Sequence, residues 1–109
     1  MNNCPRELKK LGKLLYNISD TEAEVLYYLC DKEARVKEIS DDLNRSRSTV
    51  QRYLSKLRST ELVERRSVVE EGKKGRYYIY SSSTEELKDE LKEKLSEWYE
   101  DKMEMIDEI

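Results

Sequence analysis

The chain has 109 residues and a formal charge of −3, with 41% of its residues charged and 37% apolar. That length supplies one domain with one core. It contains no histidine, which removes histidine bases and histidine metal ligands, and no apolar run approaches the ~20 residues that span a membrane. The apolar residues are periodic rather than scattered, which argues against a disordered chain. The charge is unevenly placed. Residues 1–31 carry 4 positive and 5 negative charges, residues 32–83 carry 13 and 8, and residues 84–109 carry 4 and 11. A basic middle followed by an acidic end would orient the molecule on a polyanion.

In chain order, Pro5 suits the first turn of a helix, and Leu8, Leu11 and Leu15 follow at helical spacing up to a break at Asn17–Ile18. Ser19 and Glu22 have capping-box spacing for a second helix, with Val25, Leu26 and Leu29 inward and Ala23 as a small packing residue; Asp31 and Lys32 end it. Ala34-Arg35-Val36 has the length of a minimal strand. Val36, Ile39 and Leu43 then step as a short helix, with Asn44 suited to close it in a left-handed conformation and Ser46 to cap the next. Two helices joined by a turn of about three residues have helix-turn-helix spacing.

Residues 45–58, reading RSRSTVQRYLSKLR, carry five positive charges and no negative ones. Val50, Leu54 and Leu57 form the buried stripe of this helix, and basic and hydroxyl residues fall between them. Residues 62–69 and 76–80 then read as two strands around the glycine-bearing loop of residues 70–75, a β-hairpin. Ser83 and Glu86 have the spacing of a second capping box. Residues 84–109 run without Gly or Pro as a helix of about 26 residues, ~39 Å long.

The order of elements, together with residues 19–25 (SDTEAEV), Lys37-Glu38-Ile39-Ser40, residues 46–54 (SRSTVQRYL), Leu57 and Leu62-Val63-Glu64-Arg65, resembles the winged helix-turn-helix DNA-binding domains of the MarR and TrmB families. The likeness covers residues 19–80 well and the flanking helices loosely. It implies a mainly α fold with a small β-hairpin wing: an N-terminal helix in residues 1–18, a winged-helix core in 19–80 and a C-terminal dimerisation helix in 84–109. It also implies a cytoplasmic regulator that binds double-stranded DNA, with the wing touching phosphates or the minor groove beside the recognition helix. Such regulators commonly carry Gly before the Leu-Val that follows that helix; here the position is Glu61.

Base edges in the major groove are read by residues near the start of a recognition helix. Arg47, Ser48, Gln51 and Arg52 are the candidates; Arg pairs bidentately with guanine and Gln with adenine. Thr49, Ser55 and Lys56 suit phosphates, which position without reading sequence, and Arg45 is a further DNA-binding candidate. Lys73, Lys74 and Arg76 are the candidate wing contacts, and Glu70 and Glu71 oppose them. In the terminal helix Leu87, Leu91, Leu95, Trp98, Met105, Ile106 and Ile109 fall on one face, edged by Tyr99 and Met103. So small a domain cannot cover that whole stripe. The expectation is a homodimer joined through the first and last helices, with Leu8 and Leu11 contributing, and with two recognition helices presented to half-sites about one helical turn apart. Repression is the simplest regulatory mechanism; a winged-helix module that binds protein within a larger complex is the alternative.

Cys4 and Cys30 stand in no paired motif, and residues 1–10 contain no hydrophobic signal core. The expectation is reduced thiols in the cytoplasm, with Cys30 as a packing residue. Two distant cysteines are too few for structural zinc, Gly72–Gly75 lacks the length and Lys-Ser/Thr of a P-loop, and the carboxylates sit on charged faces. No enzyme activity, metal or cofactor is expected, and no residue identifies a small-molecule effector.

Overall fold

The structure, a computed structural model, describes residues 4–72 and 75–109. Helix α1 (Glu7–Tyr16) is opened by the Pro5 carbonyl, which accepts from the Leu8 amide at 3.1 Å, and is closed by Asn17 at φ 54°. Asn tolerates that left-handed conformation because its short polar side chain bonds locally. Helix α2 (Asp20–Leu29) begins with a complete capping box: Ser19 Oγ accepts from the Glu22 amide at 3.1 Å, and Glu22 Oε1 accepts from the Ser19 amide at 2.7 Å. Each satisfies a donor that the helix start leaves unpaired.

The expected strand at 34–36 is displaced. Strand β1 is Glu33–Ala34, and helix α3 (Val36–Leu43) already begins at Val36. The reason is local: Glu38 Oε1 accepts from the Arg35 amide at 3.0 Å, so Arg35 is the residue at which α3 starts. Asn44 closes α3 at φ 54°. Residues 44–46 form the turn into helix α4 (Arg47–Ser59), as the sequence predicts.

Strands β2 (Glu64–Val69) and β3 (Arg76–Ser81) make the hairpin, and β3 lies between β1 and β2 in an antiparallel sheet. Glu64 lies opposite Ser81 and Val69 opposite Arg76. Leu62 and Val63, predicted in the strand, precede it and are buried in the core. Helix α5 (Thr84–Asp107) ends two residues short of the chain end. Its N-terminus is held by Ser83 Oγ, which accepts from the Glu86 amide at 3.4 Å, and by Asp31 Oδ1, which accepts from the Thr84 amide at 3.0 Å. The reciprocal half of the expected box is not formed, and the Glu86 carboxyl lies instead beside Glu64, which pushes it above its ordinary range.

The core lies between α2, α3, α4 and the sheet. Leu26, Leu29, Ile39, Val50, Leu54, Leu57 and Tyr80 are fully buried there. Each such aliphatic side chain contributes roughly 1.5–3 kcal/mol relative to exposure. Helix α1 packs on α2 and on α5. Gly12 lets α1 lie close to Ile18 and Leu26, since a Cβ there would stand 3.0 Å from Ile18 Cδ1. Tyr28 donates to Asp42 at 2.5 Å, tying α2 to α3.

One expectation is overturned. Cys4 and Cys30 are not separate thiols but joined in a disulfide, with Cα atoms 6.2 Å apart. The segment before α1 folds back on the end of α2, bringing together two residues 26 apart in sequence. Both are buried, so Cys30 packs in the core as expected but through a covalent partner.

Candidate nucleic-acid interface

Helix α4 is fixed on one side and open on the other. Val50, Leu54 and Leu57 are buried, while Arg47, Ser48, Gln51, Arg52, Ser55 and Lys56 are exposed. The helix start is built by Ser46, whose Oγ accepts from the Thr49 amide at 3.2 Å and donates to Thr49 Oγ1 at 2.8 Å. Thr49 is therefore half-buried and engaged in the cap, which makes it a weaker phosphate donor than its position suggests. Arg45 is exposed, and its backbone is clamped: its amide donates to the Ser40 carbonyl at 3.1 Å and its carbonyl accepts from the Ser40 hydroxyl. A small residue at position 40 lets the turn close this tightly.

The charged residues of α4 are not equivalent. Arg52 lies over the Tyr53 ring, 5.6 Å from its centroid. A hydrogen bond with Thr21, then one with Arg52 and the charges of Arg45 and Arg52, hold the Tyr53 phenol below its ordinary value against a smaller opposing effect of desolvation. Arg52 is thus steered along the helix surface. Arg47 and Gln51, one turn apart, instead line a cleft of about 390 Å³ shared with Arg35, Lys37, Arg76 and Tyr77.

The structure so brings together three of the predicted residues, Arg47, Gln51 and Arg76. Lys73 and Lys74, the other predicted wing contacts, lie outside the described residues. Arg35 and Lys37 were not anticipated. The signal was present: Arg35 stands three residues before Glu38, the spacing of a helix start, and a helix start beside a recognition helix faces the same partner.

The expected dimer residues divide. Leu8 and Leu87 are each only 4% exposed, and belong to the core of a single chain. Leu11 and Leu91 are half-buried and, with Leu95, line an apolar groove of about 580 Å³ between α1 and α5. Leu95, Tyr99, Met103, Met105, Ile106 and Ile109 are exposed, and Trp98 is half-buried. Where α1 meets α5, Tyr16 donates to the Glu90 carbonyl at 3.4 Å. Burial, then the Glu90 carboxylate and its acidic neighbours, push the Tyr16 phenol up to about 12.

No helix among the described residues is long and apolar enough to cross a membrane. None of their His, Cys, Asp and Glu side chains group as a metal site.

A basic helix held by its apolar stripe, a three-residue turn before it and a hairpin after it define a winged helix-turn-helix, the DNA-binding domain of transcriptional regulators. Residues 19–65 match the family described as bacterial regulatory protein, arsR family. The chain is 34% identical over 95 residues to the uncharacterized protein MJ1082 of Methanocaldococcus jannaschii, covering 85% of this chain and 78% of that one. It belongs to the family of that archaeal protein, and its residues 19–65 are similar to the helix-turn-helix of arsR regulators. Among solved structures, a possible transcriptional regulator from Methanosarcina mazei shares the fold, with a TM-score of 0.78, 21% identity and coverage of 99% of this chain and 93% of that one. The ST1889 protein of Sulfolobus tokodaii is similar at a TM-score of 0.65 and 26% identity, over 84% of this chain and 90% of that one.

Proposed function

We propose that this chain is a homodimeric, sequence-specific DNA-binding repressor in which α4 enters the major groove. The observation that carries this reading is the division of α4: three buried apolar residues lock it to the domain, and Arg47, Ser48, Gln51 and Arg52 are left exposed near its start. Arg and Gln there have the geometry to pair with guanine and adenine edges. Arg45, Ser55 and Lys56 supply phosphate contacts, with Thr49 a lesser one, and Arg76 extends the basic surface to the wing. The finer likeness to MarR and TrmB regulators rests on residues 19–80 and concerns this same arrangement.

The dimer reading rests on α5. The described structure is 63 Å long and 26 × 24 Å across, because α5 runs beyond the core. Its last turns expose Met103, Met105 and Ile106, and exposed Ile109 follows the helix end. A second α5, laid along the groove lined by Leu11, Leu91 and Leu95, would cover them. Light scattering at tens of micromolar tests this; a monomer there refutes it.

Selection of bound duplexes from a random pool tests the function itself. A recovered palindrome with half-sites about one helical turn apart is expected. Recovery of no preferred duplex would favour the protein-binding alternative, to which the acidic α5 is also suited.

A further inference from the structure

The geometry assigns a backbone phosphodiester of the duplex to the cleft between the start of α3, helix α4 and the wing, with Arg35 and Lys37 as ligands beyond the recognition helix. This rests on the DNA-binding reading above and adds a site to it.

Among the described residues, four cationic side chains, Arg35, Lys37, Arg47 and Arg76, line this cleft, and no carboxylate does. They come from three separate elements, so the clustering is made by the fold and not by a run of charge in the sequence. Four cations in one concavity repel each other unless an anion enters. Nearby cations are treated differently. On β2, Arg66 is neutralised by Glu33 at 3.0 Å, whereas among the described residues no carboxylate pairs with Arg35, Lys37, Arg47 or Arg76. The nearest acid in sequence, Glu38, is engaged with the Arg35 amide and does not line the cleft.

Arg35 is also preorganised. Its guanidinium lies 3.9 Å from the centroid of the Tyr77 ring on β3. Stacking holds the plane by its face and leaves the N–H edges to donate, the arrangement in which arginine clamps phosphate through two parallel bonds. Because Arg35 starts α3 and Tyr77 belongs to the wing, the contact also ties the wing to the start of α3. A cleft of about 390 Å³ admits a phosphate together with its flanking sugars. With Arg47 and Gln51 on one wall, the bound phosphate belongs to a strand bordering the groove that α4 reads. Such a contact sets the register of the helix on the duplex and carries no sequence information itself.

The test uses the full chain and the duplex recovered by selection, with single phosphates replaced one at a time by neutral methylphosphonate. Wild type, Arg35→Ala and Tyr77→Leu are titrated against each duplex, and melting curves confirm that the variants fold. One backbone position is expected at which neutralisation weakens wild type by roughly 10- to 100-fold but leaves Arg35→Ala nearly unaffected. Tyr77→Leu should give an intermediate dependence at the same position. If wild type binds the duplex and no position shows an effect that depends on Arg35, the phosphate site is wrong while DNA binding stands. If Arg35→Ala loses its folded melting transition, Arg35→Gln repeats the comparison, since it keeps a polar stem and lacks the charge. Absence of binding by wild type to any duplex overturns both readings.

Discussion

Replacing Glu61 by glycine should stabilise this protein, although it removes a side chain and adds none. Helix α4 ends in a paired set of backbone bonds: the Leu62 amide donates to the Leu57 carbonyl at 3.2 Å and the Glu61 amide to the Arg58 carbonyl at 3.0 Å. This is the Schellman pattern, completed by contact between buried Leu57 and Leu62, and it places Glu61 at the position where glycine is favoured. Glu61 has φ 66°, whereas the other non-glycine residues at positive φ among the described residues are Asn17, Asp31 and Asn44, which tolerate it. A left-handed conformation costs an ordinary side chain roughly 1–2 kcal/mol, and the greater freedom of unfolded glycine returns about 0.4–1 kcal/mol of that. The net gain is about 1 kcal/mol, or ~4–8 °C in melting temperature for a domain of this size. Glu61 also shares a concave surface with four other acids, Glu64, Glu86, Asp89 and Glu90, and with Arg58 and Arg65, so a change of charge must be separated from relief of strain. Glu61→Gln removes the charge and keeps the strain. Thermal unfolding of the three proteins decides: glycine well above wild type and glutamine within a few tenths of a kcal/mol of it are expected. Equal gains from both variants would show that charge, not conformation, is responsible.

Three other substitutions probe separate parts of the account. Ser46→Ala removes the cap of α4 and should cost about 1 kcal/mol in urea unfolding, with Ser46→Asp recovering most of it; a neutral alanine variant would mean that the cap hydrogen bonds contribute nothing. Cys4→Ser, or added reductant, opens a loop between residues 26 apart and should lower stability by about 3.5 kcal/mol on the chain-entropy account; a midpoint insensitive to reductant refutes that role for the bond. Glu86 is held above its ordinary carboxyl range, first by a hydrogen bond with Glu64 and then by its charge. Its folded form therefore binds a proton more readily than its unfolded form, and the stability this gives is present in acid and lost as pH rises through the raised value. Glu64→Gln should accordingly stabilise the protein at neutral pH, and the difference should vanish below the ordinary glutamate range; a pH-independent difference is the opposing result.

What the sequence displays is what acts over short distances. The box at Ser19 and Glu22, the left-handed Asn44, the cap at Ser46 and the apolar stripe of α4 are each set within a few residues, so period and residue type reveal them. The strand expected at Ala34–Val36 lies one residue earlier in the structure, because one hydrogen bond to Glu38 makes Arg35 begin α3 instead of extending β1. Contacts between distant segments left no comparable trace. Nothing near Cys4 points to Cys30, nothing near Asp31 marks it as a cap for α5, and the stacking of Arg35 on Tyr77 joins residues 42 apart in the numbering. The reading face of α4 was therefore apparent beforehand, while the cleft beside it emerged only when three elements were placed together. The glutamate at position 61 lies between these cases: its departure from the usual glycine was visible, and the structure shows that the backbone conformation is kept nonetheless.

The central claim, that α4 reads bases, is tested most directly by the affinity of Gln51→Ala for the selected duplex and for its single-base-pair variants at fixed salt. Gln51 is exposed on the reading side of α4. Its loss should abolish discrimination at one base pair, about 1–3 kcal/mol, and leave binding to unrelated duplexes unchanged. A uniform loss across all duplexes, or no loss on any, would contradict base reading by this helix.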